Sequence, residues 1–207
     1  MKKKISLSLF SLMLIFTLKV NAQYSKQDTT YKKNFVGSTL FLLGNFASTN
    51  PPGFVQLNLG HRITGRDVIS LEFITWKYSW PLGINPFFND KYGEPDEQFP
   101  GTIREYGLGL AYQRYFWKGL YAAVHLTPMV QKFMDEDGKK IDNGFHLFNT
   151  YRIGYHVKLF KDKFFLEPSV GIAGRPYHTE MPDGFKQKDD KWSKWTPEPG
   201  LHFGYNF

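Results

Sequence analysis

The chain of 207 residues has no cysteine. That excludes disulfides, thiolate metal sites and a lipid-modified N-terminal cysteine. It suits a chain that crosses an oxidising compartment without covalent staples. Beyond the first two dozen residues there is no run of about 18 apolar residues, so no transmembrane helix is expected. Neither sign of charge dominates once the N-terminus is set aside. Residues 1–22, MKKKISLSLFSLMLIFTLKVNA, read as a signal peptide: a basic start at Lys2, Lys3 and Lys4, a short apolar stretch from Ile5 to Leu18, and Val20-Asn21-Ala22 as a small-residue cleavage site. Lys2, Lys3, Lys4 and Lys19 leave with it, so the formal charge drops from +7 to 7 − 4 = +3. The basic balance thus gives no case for nucleic-acid binding.

What the chain has in abundance is aromatic residues and glycine. Phe, Tyr and Trp make up 18% of it, and there are 19 Gly. An exported chain of that kind, poor in helix signals, points to β structure. Gln23 to Asn34 is a short polar lead. After it come eight candidate strands, at 35–45, 53–63, 67–79, 102–115, 119–132, 145–159, 164–175 and 196–207. Several are long for a soluble domain and long enough to cross a bilayer at a tilt.

Alternation runs through them. In the fourth, Tyr106, Leu108, Leu110 and Tyr112 oppose Glu105, Gly107, Gly109, Ala111 and Gln113. In the fifth, Leu120, Ala122, Val124, Leu126 and Val130 oppose Tyr121, Ala123, His125, Thr127 and Gln131. In the sixth, Leu147, Tyr151, Ile153, Tyr155 and Val157 oppose His146, Thr150, Arg152, Gly154, His156 and Lys158. Eight bulky apolar faces would overfill a small barrel, whereas small and polar residues fit its lumen. The bulky faces therefore belong outside, against lipid. The connections alternate too. Thr64-Gly65-Arg66, Trp117-Lys118 and Lys161-Asp162-Lys163 are short; Ala47–Pro52, Trp80–Gly101, Phe133–Gly144 and Pro176–Trp195 are longer. Eight strands put both chain ends on the short-turn side.

This pattern resembles the small outer-membrane β-barrels of Gram-negative cells, of OmpA/OmpX-like or OmpW-like type, over nearly the whole mature chain. The closing heptapeptide LHFGYNF resembles the C-terminal strand of such proteins, and FFLEPSVGIAG at 164–174 resembles barrels of Bacteroidetes. The resemblance implies an all-β, eight-stranded, antiparallel, up-and-down transmembrane barrel over residues 35–207. It implies residence in the cell outer membrane among lipid and lipopolysaccharide, with long loops extracellular and both termini periplasmic. It also implies that Phe203, Tyr205 and Phe207 form the signal read by the barrel assembly machinery. No periplasmic domain is expected after the last strand.

Some residues resist the pattern. Pro128 and Pro168 fall inside strands, and bulges would absorb them. Trp76, Tyr78 and Trp80 fall on the face opposite Ile69, Leu71 and Phe73. Either these aromatics point inward above the membrane, or a bulge near Ile74 flips the register.

Chemistry is scarce. Glu72, Glu105, Arg152, Lys158 and Glu167 share lumen parity. They read as a paired network plugging the barrel, or as a gate, since eight strands leave no aqueous channel. His125, His146 and His156 also face inward. No Gly-x-Ser-x-Gly elbow occurs, Ser70 and Ser169 are isolated, and no two histidines sit at i, i+2 on a strand. No enzyme activity, cofactor or metal is therefore expected. DEDGKKID (135–142) reads as an Asp-Gly turn. The long loops carry Trp80, Phe87, Phe88, Trp192 and Trp195, which are either contact surfaces or part of an outer aromatic girdle. At the short-turn side Tyr115, Phe116, Trp117, Phe160, Phe164 and Phe207 read as girdle. Three functions follow in order: a non-enzymatic structural or interaction barrel, engaging other outer-membrane proteins as a subunit; a lipid A-modifying enzyme; a narrow channel or carrier for small apolar compounds.

Overall fold

The computed structural model describes residues 32–46, 51–81 and 95–207. The signal peptide, nearly all of the polar lead, and Phe87 and Phe88 lie outside the described residues. The strand segments are β1 (Asn34–Thr39), β2 (Val55–Arg62), β3 (Asp67–Tyr78), β4 (Thr102–Trp117), β5 (Leu120–Met134), β6 (Lys140–Tyr155), β7 (Val157–Leu159), β8 (Phe164–His178) and β9 (Trp195–Asn206). One short helix, α1 (Asp183–Asp189), precedes β9.

β6 and β7 are one strand interrupted at His156. Both pair with β8 in the same register, Gly154 opposite Ser169 and Val157 opposite Leu166. Pro168 lies in that interval and has no N–H to give, so the ladder lapses there. The nine segments therefore make eight antiparallel strands. Pairing of β1 with β9 and of β6 with β8 closes the sheet into a barrel, with β1 covering only the His202–Asn206 part of β9.

The proline expectation needs correction. Around Pro128 the β4–β5 register is the same on both sides, Gly107 opposite Met129 and Leu110 opposite Leu126. Rungs are lost there, but no residue is inserted. The register shifts lie instead at Tyr115/Trp117, Phe133/Met134 and Leu147/Asn149. The first strand is also shorter than expected: after Thr39 the chain leaves the sheet in a 3-10 turn, Leu40–Phe46. β3 pairs without a break from Val68 to Tyr78, so no bulge occurs near Ile74 and Trp76 and Tyr78 point inward.

The bulky faces are outside. Leu110 is 65% exposed, Ile153 60% and Val170 69%, and Leu59, Leu71, Leu108, Leu126 and Ile172 continue the band around the wall. Few large apolar side chains on a water-facing surface form so continuous a belt. At the short-turn end Phe116, Trp117, Phe160, Phe164 and Phe207 are exposed. Tyr115 is not part of that girdle. It is 4% exposed and points into the lumen, one position out of phase with Phe116. Inside, close packing depends on glycine at two places. A Cβ on Gly60 would stand 1.9 Å from the Phe35 ring. One on Gly200 would stand 2.2 Å from Nη1 of Arg152.

Candidate functional site

Three buried glutamates stand in the lumen at three heights, and each faces a histidine. Nearest the short turns, Nδ1 of His156 lies 2.7 Å from Oε1 of Glu167. Gln113 donates to the same oxygen at 3.0 Å, and the Tyr115 hydroxyl lies 3.3 Å away. Midway, Nδ1 of His125 lies 2.9 Å from Oε2 of Glu72. Toward the long loops, Glu105 accepts from the Tyr78 hydroxyl and from Gln131 Nε2, both at 2.7 Å, and from Trp76 Nε1; His146 Nε2 lies 3.3 Å away. Arg152 donates to Glu198 Oε1 at 2.9 Å and to Ser169 Oγ at 3.3 Å.

Placement follows from the two-residue period of the strands. Glu72, Glu105, Arg152 and Glu167 are all buried on the inner face. Lys158 is half-buried at the short-turn end, 3.4 Å from Asp162. The five sequence-predicted charges thus point inward, but they do not form one network. They sit in separate tiers whose partners are mostly histidines and neutral donors. An isolated buried carboxylate would be costly, and each of these has at least one donor or cation beside it. Ser169 sits on Arg152, not on a histidine.

Sequence reasoning passes over Arg62, Glu198, His202 and Asn206 in this arrangement. His202 and Asn206 lie on the polar face of LHFGYNF. His202 stacks against His125 at 6.4 Å, and Asn206 accepts from Arg62 at 2.9 Å. Their even parity along that strand was the available signal.

The outer third of the lumen departs from the small-and-polar expectation. Trp76, Tyr78, Ile103, Met129 and Phe133 meet there, joined by Phe54 and Phe99, and by Met181 and Phe185 from the last long connection. α1 folds over the mouth. Phe185 is 1% exposed, between Phe99 at 5.0 Å and Phe133 at 5.1 Å. Buried Arg175 and Asp189 pair at 2.8 Å and tie the helix to β8. This connection is a stopper. Of the expected loop contacts, Trp80 and Trp192 are half-buried, and Trp195 lies on the outer wall 6.0 Å from Tyr151. Phe203 and Tyr205 stand on the outward face of β9, and Phe207, just past its end, is exposed with Tyr205 stacked on it at 6.5 Å.

Between the middle tier and the aromatic stopper lies a cavity of about 170 Å³. Its floor is polar, from Glu72, His125, Arg152, Glu198 and His202. Its walls are apolar, with Phe41, Phe54, Ile74, Trp76, Met129 and Phe148.

No family model matches the chain, and no curated protein matches it. Among solved structures it is similar to CarO of Acinetobacter baumannii, at 13% identity over 88% of this chain and 100% of that one, with a TM-score of 0.41. It is also similar to CarO2 of Acinetobacter baumannii, at 10% identity over 86% and 98% of the two chains, with a TM-score of 0.39. Neither likeness is close enough to carry a function across.

Proposed function

We propose that this chain is an integral outer-membrane barrel with a non-enzymatic structural or interaction role, and that it serves as a subunit of a larger outer-membrane assembly. Its short turns and both termini face the periplasm, and its long connections face the exterior. The observation that carries the reading is the pairing of an outward apolar belt with a lumen closed at both ends by its own residues. Such a barrel presents its wall and its outer rim to other molecules, not a bore. Embedded in lipid, the belt needs no further cover. A catalytic reading has less support, since Ser169 is engaged by Arg152.

The belt is tested by Leu110→Lys. Leu110 stands midway along β4 and is 65% exposed. Facing lipid, the lysine should cost about 2–4 kcal/mol in urea unfolding from bilayers. On a water-facing surface the same change would fall within about 0.5 kcal/mol. A near-zero cost would reject the lipid-facing assignment.

The plugged lumen is tested in planar bilayers. The purified barrel should give no discrete conductance steps, because the three tiers and the stopper occupy the bore. Regular single-channel steps would replace this reading with that of a channel. The assembly role is tested by native mass after gentle detergent extraction: a stoichiometric partner is expected, and a lone barrel in its micelle would remove that part.

A further inference from the structure

We infer that the lumen cavity is a binding site for a small uncharged amphiphile, one with an apolar body and a head that both donates and accepts a hydrogen bond. The inference goes beyond the structural role proposed above. Three buried polar atoms on the cavity's lining residues have no partner: Arg152 Nε, His125 Nε2 and Glu198 Oε2. Each belongs to a side chain whose other polar atoms are engaged. Arg152 uses both terminal nitrogens, on Glu198 and Ser169. His125 uses Nδ1 on Glu72, and Glu198 uses Oε1 on Arg152. Buried polar groups are normally satisfied, so three orphans around one cavity mark a place where a ligand supplies the missing bonds.

The orphans define the head. Arg152 Nε–H can only donate, and Glu198 Oε2 can only accept. His125, with Nδ1 2.9 Å from Glu72, adds Nε2 as a third polar atom of the floor. A hydroxyl or primary amide donates to one acceptor and accepts from Arg152. A carboxylate would face Glu72 and Glu198. An ammonium head has no lone pair with which to accept from Arg152 Nε–H, and so leaves it unpaired. The apolar walls define the body. A cavity of about 170 Å³ holds a single ring or a short chain.

The route in is lateral. The stopper covers the mouth, and the Glu167 tier fills the other end. On the wall, β1 pairs with β9 only as far as Thr39 opposite His202. Beyond that rung no described strand lies beside Leu201 to Trp195 on this side. The unpaired edge is blunted. Asn206 N donates to Lys163 O toward β8, and Phe207 N donates to Asn34 O toward β1. Amides alternate in direction along a strand, so the odd-numbered residues of β9 point theirs at the β1 side. Two of those are Pro197 and Pro199, which have no N–H to leave unpaired in lipid. Thr39, Glu198 and Pro199 line both this seam and the cavity.

The test uses the full barrel in detergent micelles, with equilibrium dialysis of labelled benzyl alcohol against empty micelles. One equivalent should bind above the micelle background. Toluene, which has the same body and no head, should bind at least about tenfold more weakly, because it leaves the polar floor unpaired. Benzoate and benzylamine should also be rejected. Glu198→Gln should weaken benzyl alcohol severalfold, and Phe148→Trp, which fills the cavity from a half-buried position, should abolish its binding. Retained gel mobility of the unheated barrel checks folding; should either variant unfold, the alcohol-to-toluene ratio of the unaltered protein decides. 1-Dodecanol is too long for the cavity and should compete only by leaving its tail in the seam. Equal uptake of toluene and benzyl alcohol, at the level of empty micelles, would overturn the site. Failure of dodecanol to compete would overturn the lateral route. Neither result would alter the native mass or the Leu110→Lys cost, which test the structural role.

Discussion

Glu105→Ala is expected to destabilise the barrel by about 3–5 kcal/mol, the range for removing one partner of a buried charge cluster. Glu105 is fully buried and accepts from Trp76, Tyr78 and Gln131, with His146 beside it. Its loss leaves the Trp76 and Tyr78 donors without their acceptor, and Gln131 with only the Tyr78 hydroxyl at 3.5 Å. It also removes the link between the polar tiers and the aromatic stopper, since Trp76 and Tyr78 belong to both. Glu105→Gln keeps the shape and one acceptor, and should cost less than the alanine. Lys158→Ala, at the half-buried end beside Asp162, should change stability by under about 1 kcal/mol. Urea titration in micelles, followed by the gel-mobility shift between folded and heated barrel, measures all three. A Glu105→Ala barrel as stable as the parent would show that the outer tier does not hold the lumen together.

Deleting Tyr205–Phe207 should abolish the folded barrel altogether. Asn34 and Phe207 exchange two backbone hydrogen bonds, at 3.1 and 2.9 Å, and this is the last rung closing the sheet. Asn206 sits under it and accepts from Arg62, which is 2% exposed. Its amide also donates to the carbonyl of Asp162. That bond steadies a turn in which Phe160, Lys161 and Asp162 all have positive φ, at 49°, 58° and 63°. Truncation therefore opens the barrel, strands a buried guanidinium and frees a strained turn together. Phe207→Ser separates closure from address. It keeps the backbone pair, so purified protein should still fold in micelles. Its level in the outer membrane should fall severalfold if the assembly machinery reads the terminal aromatic. Equal membrane levels of the two proteins would remove Phe207 from that role.

The architecture was legible because it rests on the shortest period in protein structure. Every second residue of a strand faces the same way, so Tyr106-Leu108-Leu110-Tyr112 against Glu105-Gly107-Gly109-Ala111 declares an outside and an inside with no knowledge of neighbours. The same parity placed His125, His146, His156 and four of the five inner charges in the buried lumen. It failed where the phase slipped or the chain left the sheet. Tyr115 looked like one of a run of girdle aromatics, yet it sits one step from Phe116 and points inward to Glu167. FLLGNF is as apolar as a wall segment and prolongs the first strand to residue 45 in the pattern, whereas the chain turns in after Thr39 and packs Phe41 on Phe54 at 4.6 Å.

The partners were beyond reach of the one-dimensional pattern. Glu72 meets His125 across 53 positions, and Arg62 meets Asn206 across 144. Such pairs depend on which strands lie beside or opposite each other and at what height, which only closure of the barrel decides. The stopper is of the same kind. Phe185 lies in a seven-residue helix too short to show a period, and its burial follows from the aromatic mouth that β3, β4 and β5 build beneath it. The sequence alone thus determined the strand number, the inner and outer faces and the side of the short turns, because those follow from local alternation and loop length. The tertiary structure alone decided that the inner charges separate into three tiers, that the mouth is closed, and that a cavity with unpartnered polar atoms remains between them. Those features arise from contacts between residues far apart in the chain, and no local pattern encodes them.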